Sequence, residues 1–167
     1  MLRQVQLVVG SVMSSLVVIA IALSTAFTDD RFAAPPLWLL AVQVVAAVGI
    51  HLLVETIGYR TPALPPGTDA AEAGTTSSQA LVRGTILRVA MCESIALASV
   101  AAAFVVEEGG YAGLLTGVVI ALVLMAVHAW PRTAVVDRTA QSLERDGARS
   151  HLHERLGLAP QGPIQEL

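Results

Sequence analysis

The sequence predicts an all-α integral membrane protein: four transmembrane helices arranged as two antiparallel hairpins, with a short amphipathic cytoplasmic helical tail at the C-terminus. Three observations predict it. Of the 167 residues, 54% are hydrophobic and only 14% charged, whereas soluble domains carry about a quarter charged residues. The mean hydropathy is +0.68. Four apolar stretches are each long enough to cross a bilayer core, which takes about 20 helical residues.

The spans run from Val5 to Phe27, Leu37 to Gly58, Leu81 to Val106 and Tyr111 to Trp130. The first resembles a signal peptide in having Ser24-Thr25-Ala26 at its end. Its apolar run exceeds the 7–15 residues of such peptides, however, so a retained helix is expected. Residues 1–60 therefore make a first hairpin and 81–130 a second, closed by the tight turn "EEGG". Residues 61–80, rich in Pro, Gly, Thr and Ser, read as a flexible linker. Residues 131–167 form the tail, where Val136, Ala140 and Leu143, then Leu152 and Leu156, suit two short helices joined at Gly147.

Orientation follows from arginine. One side of the spans receives Arg3, Arg60, Arg83 and the five arginines from Arg132 to Arg155; the other receives only Arg31, beside Asp29, Asp30, Glu107 and Glu108. The positive-inside rule then puts both termini and the linker in the cytoplasm of a bacterial plasma membrane. Trp38, Tyr59, Tyr111 and Trp130 all fall at span ends, where amphipathic rings favour the headgroup region. Every basic residue is Arg and Lys is absent, a bias expected of a GC-rich genome.

In lipid, helices associate through close packing and polar contacts. The third span carries Ala90, Ser94, Ala98 and Ala102 at spacings of four; the fourth carries Gly113, Gly117 and Ala121. These stripes predict the contact face of the second hairpin, with the Ser94 hydroxyl bonding an opposite carbonyl. Gly10, Ser11, Ser14 and Ser15 offer a further surface on the first span.

Arg88, Glu55, Glu93 and His51 stand at depth inside the spans. Counting 1.5 Å per residue, Arg88 lies about 7 Å beyond Arg83 and Glu55 about 6 Å from Tyr59, at one level; Glu93 lies roughly 15 Å in and His51 about 12 Å in. His51 and Glu55, four apart, share a helix face. The expected ladder pairs Glu55 with Arg88 and His51 with Glu93, since an unpaired charge at that depth costs about 2.5–3.5 kcal/mol. Glu93 is then either a structural clasp or a proton or ion site. Each hairpin also closes with a histidine, His51 and His128, the latter expected at the headgroups.

The stretch "RGTILRVAMCESIALASVAAAFV", Arg83 to Val105, resembles the carboxylate-bearing helix of ATP synthase c-subunit proteolipids. Arg83-Gly84-Thr85 and Glu93 carry the likeness, which implies a reversible proton carrier at Glu93. The chain departs from that pattern in its shorter Arg-to-Glu spacing and in lacking a Gly-rich partner helix.

A net charge of −3 without a basic cluster gives no basis for nucleic-acid binding. No nucleophile–base pair, phosphate loop or dinucleotide fingerprint is present, so no enzyme activity and no cofactor are expected. "HLHE" places His151 and His153 on different helix faces, so no metal site is expected. The single Cys92 reads as a small buried hydrophobe. The expected partners are the bilayer and other membrane subunits or further copies of the chain. The leading expectation is a small non-enzymatic accessory or scaffolding subunit; the alternative is a proton- or ion-coupled component using Glu93.

Overall fold

A computed structural model describes residues 2–27 and 29–158. Among these the chain is all helical, without strands. Four helices are long and apolar enough to cross a membrane: α1 (Leu2–Leu23), α2 (Leu37–Leu53, continued by a π-helical turn Val54–Gly58), α3 (Ala70–Val105) and α4 (Gly110–His128). Two shorter helices follow, α5 (Thr133–Glu144) and α6 (Leu152–Leu156).

The helices hold despite many β-branched residues because lipid offers the backbone no hydrogen bonds and the helix supplies them all. The serines of α1 obey the same constraint. Ser11 and Ser15 donate to carbonyls three residues back in their own helix. Pro36 sets the chain at the start of α2. The Asp69 carboxylate accepts the Ala71 N–H at 2.9 Å and caps α3. Between α3 and α4, Gly109 has φ +70° and lies so close to the Ala34 carbonyl that a side chain there would collide with it. Its N–H donates to the Asp30 carbonyl at 3.0 Å.

The tightest packing joins α3 to α4, and α1 and α2 pack chiefly on α4. α1 and α2 are neighbours in sequence, yet each finds its main helix contact in the glycine-lined α4. The main core draws Val5, Val9 and Leu16 from α1, Cys92 and Ala96 from α3, and Leu114, Val118 and Met125 from α4.

The stretch read as linker divides in two. Residues 61–69 are irregular, whereas Ala70 to Ala80 are the opening turns of α3. At 36 residues that helix is about 54 Å long, well beyond the ~30 Å of a bilayer core. The projecting part is covered by α5 and α6: Leu81 meets Val136, Ala140 and Leu152, and Ala73 meets Leu64 and Leu143. The apolar edge of the tail therefore rests on α3.

Candidate functional site

A group of polar side chains gathers where the π-helical turn of α2, the last turn of α4 and α5 meet. His128 is the centre, 1% exposed. Its Nε2 lies 2.9 Å from His51 Nδ1, and its Nδ1 lies 3.3 Å from the Tyr59 hydroxyl and 3.6 Å from Glu55 Oε1. Glu55 in turn accepts two hydrogen bonds from Arg138 Nη1, at 2.6 and 2.8 Å. A chain of polar contacts thus runs His51–His128–Glu55–Arg138, from α2 through α4 and back to α2, ending on α5; its outer links are hydrogen bonds, and the middle one, at 3.6 Å, is an electrostatic contact.

Arg88 stands beside this chain, 1% exposed. It donates to the Gly58 carbonyl at 2.9 Å and to Thr85 Oγ1 at 3.1 Å, and its guanidinium carbon lies 4.6 Å from the Tyr59 ring centroid. Gly58 and Gly84 make the room: a Cβ on Gly58 would sit 3.2 Å from Arg88 Cγ, and one on Gly84 3.1 Å from Nη1. The carbonyl that Arg88 takes closes the π-helical turn, where helix-end carbonyls lack partners within the helix and favour a cation. The Arg138 guanidinium carbon lies 4.9 Å from the Tyr59 centroid, so both arginines stack on the one ring. Burial pushes the Tyr59 phenol above its ordinary range, against the pull of Arg88 and Arg138. The Glu55 hydrogen bond raises the Arg138 pKa further.

The stability held by neutral Tyr59 is present below the ordinary phenol value of about 10 and lost as pH rises through the higher folded value. The chain has two tyrosines. In a Tyr111→Phe background, ultraviolet titration of the folded protein is expected to show Tyr59 ionising above pH 10, and denaturant to bring it back to about 10.

The expected ladder is not formed. Glu55 pairs with Arg138 instead of Arg88, and His51 with His128 instead of Glu93. Glu93 is half-buried in a groove of about 240 Å³ lined by Val8, Val9 and Val12 of α1 and by Thr85, Ile86, Val89 and Ala90 of α3. Its carboxylate has no hydrogen-bond or ion-pair partner among the described residues.

The small-residue stripes also separate. Gly113, Gly117 and Ala121 are buried against neighbours, as their spacing predicts: a Cβ on Gly113 would meet Leu39, and one on Gly117 would meet Ser99. Ala90, Ser94 and Ala98 instead face outward, and the Ser94 hydroxyl bonds the Met91 carbonyl of its own helix at 2.7 Å. The α3 face turned inward is Cys92, Ala96, Ser99 and Ala103.

Sequence reasoning missed a second polar centre. Gln43 donates to Ser99 Oγ at 3.0 Å and to the Gly113 carbonyl at 2.7 Å, and accepts from Thr116 at 2.7 Å. The signal was a lone amide in a run of Val and Ala; counting charges passed over it. In the tail, His151 bonds Glu154 at 3.0 Å and His153 bonds Asp137 at 2.7 Å, two separate pairs.

No protein-family model, curated protein or solved structure matches this chain. The likeness of the third span to the proteolipid helix therefore rests on Arg83-Gly84-Thr85 and Glu93 alone.

Proposed function

We propose that the protein is a small, non-enzymatic accessory or scaffolding subunit of a larger assembly in the bacterial plasma membrane, with both termini and the α5–α6 layer in the cytoplasm. One observation carries this reading. The outward face of α3 sets Ala90, Ser94 and Ala98 beside the Glu93 carboxylate, unpartnered among the described residues, which lies about 15 Å from Arg83 along the helix axis. Small residues let another helix approach closely, and a carboxylate at such depth needs a polar partner or a proton. A partner helix with a basic or hydrogen-bonding side chain at that depth meets both demands. The arginine asymmetry supports the orientation.

The test is extraction into polymer nanodiscs without detergent. The 17.4 kDa chain is expected to migrate within a larger complex that Ala98→Phe dissociates. Val18→Phe, on an exposed face of α1, leaves that complex whole. A lone monomer from the unaltered chain overturns the proposal.

The same missing partner favours a second reading, a proton- or ion-coupled component in which Glu93 takes up a proton. Carbodiimide, which attacks protonated carboxyls in apolar surroundings, separates the two. Labelling of Glu93 in native membranes above pH 7 supports proton exchange, and labelling that appears only after dissociation of the complex supports a partner helix.

A further inference from the structure

Beyond the accessory role, we infer that His51, His128 and Glu55 form a binding site for a divalent transition-metal ion. One donor atom from each of the three lies within 4.8 Å of the other two. Donors bound 2.0–2.2 Å from one ion stand about 2.9–3.5 Å apart, and His51 Nδ1 to His128 Nε2 is already 2.9 Å. His51 and Glu55 come from one face of α2, four residues apart, and His128 from the last turn of α4. Two helices thus contribute, and the site needs no loop to close.

The parts differ in mobility in the way such a site requires. His128 is buried, and the Tyr59 hydroxyl beside its Nδ1 fixes the ring so that Nε2 points at His51. His51 is exposed and the Glu55 side chain is one-third exposed, so both can swing onto an ion and leave its remaining position open to water. Two imidazoles and one carboxylate suit Zn²⁺, Co²⁺, Ni²⁺ or Cu²⁺; Mg²⁺ and Ca²⁺ want oxygen shells.

The charged and titratable groups around the site are Tyr59 just past the π-helical turn of α2, Arg88 from α3 and Arg138 from α5. Arg138 is the direct competitor, because it holds the Glu55 carboxylate that the ion would take. Its side chain is 47% exposed and has water to go to. Metal binding and attachment of α5 to α2 are then antagonistic: the ion releases Arg138, and Arg138 weakens the ion.

Titration of the full chain in nanodiscs with Co²⁺, followed by its visible d–d absorption, tests the site. One ion per chain is expected, displaced by Zn²⁺ and not by Mg²⁺. His51→Ala removes an exposed ligand without disturbing the core and is expected to lower affinity by 100-fold or more, since even outer-shell changes cost 10–100-fold. Arg138→Ala is expected to raise affinity about tenfold by freeing the carboxylate and removing a like charge. That gain is the outcome an adventitious surface site would not give. Binding lost in a His151→Ala/His153→Ala double variant, or an affinity left unmoved by both His51→Ala and Arg138→Ala, overturns the inference.

Discussion

Gly117→Val is expected to prevent the protein from accumulating in membranes in folded form. A Cβ at Gly117 would overlap the Ser99 hydroxyl and Cβ and stand 3.0 Å from Gln43 Nε2. Ser99 cannot turn away freely, because its hydroxyl donates to the Ile95 carbonyl at 2.8 Å while accepting from Gln43. Relief requires α3 and α4 to move apart along the most closely packed seam of the fold, and the Gln43–Ser99 hydrogen bond goes with it. Overpacking of a core costs about 1–3 kcal/mol; the loss of a buried amide's partners adds about 1–3 kcal/mol more. Gly113→Ala is the milder comparison, because the obstacle there is the Leu39 methyl at the end of a flexible side chain. Membrane-fraction yield and thermal unfolding in detergent measure both. Equal yields for the two variants sink the account of the seam.

Gly117 also shows what the sequence could and could not reveal about the fold. The spacing of Gly113, Gly117 and Ala121 marks one face of α4, since glycine is scarce elsewhere on that helix. On α3 the same rule fails for a physical reason. Ala90, Ser94 and Ala98 form a small stripe, but so do Cys92, Ala96, Ser99 and Ala103, and spacing alone cannot choose between two faces of similar size. The choice is made by Gln43, whose amide reaches Ser99 and the Gly113 carbonyl from a helix distant in sequence.

The candidate site was legible in depth and illegible in direction. Residue counting put Glu55 and Arg88 at one level, and both do border Tyr59. The pairing then depended on angle around the axis and on what lay outside the spans. The π-helical turn at Val54–Gly58 changes the helix phase between Glu55 and the helix end. Arg138, 83 residues along the chain from Glu55, arrives on α5 and takes the carboxylate. The histidine closing each hairpin was the sequence's nearest pointer to the cluster. Ala70 to Ala80 escaped notice as helix because Thr75, Thr76, Ser77 and Ser78 have little helix propensity. Only the cap at Asp69, with Glu72 three residues on, announced it; the cover of α5 and α6 supplies the rest.

Arg88→Ala carries the second large expected effect. Among the described residues no carboxylate pairs with this buried arginine, and its charge is balanced by the Gly58 carbonyl, the Thr85 hydroxyl and the face of Tyr59. Truncation to alanine empties the cradle that Gly58 and Gly84 leave for the side chain and strips the Gly58 carbonyl of its donor. Core truncations of this size cost about 2–5 kcal/mol, and an unpartnered buried acceptor adds about 1–3 kcal/mol. Arg88→Met is expected to lose less, because it fills the space and removes the charge that burial disfavours. Arg88→Lys keeps the charge yet loses the planar group that stacks on Tyr59 and the second donor that reaches Thr85. Unfolding in mixed micelles should therefore place methionine nearest the parent and alanine furthest, with lysine between. If lysine restores full stability, the charge alone matters, and the stacked, two-donor geometry does not hold α2 against α3.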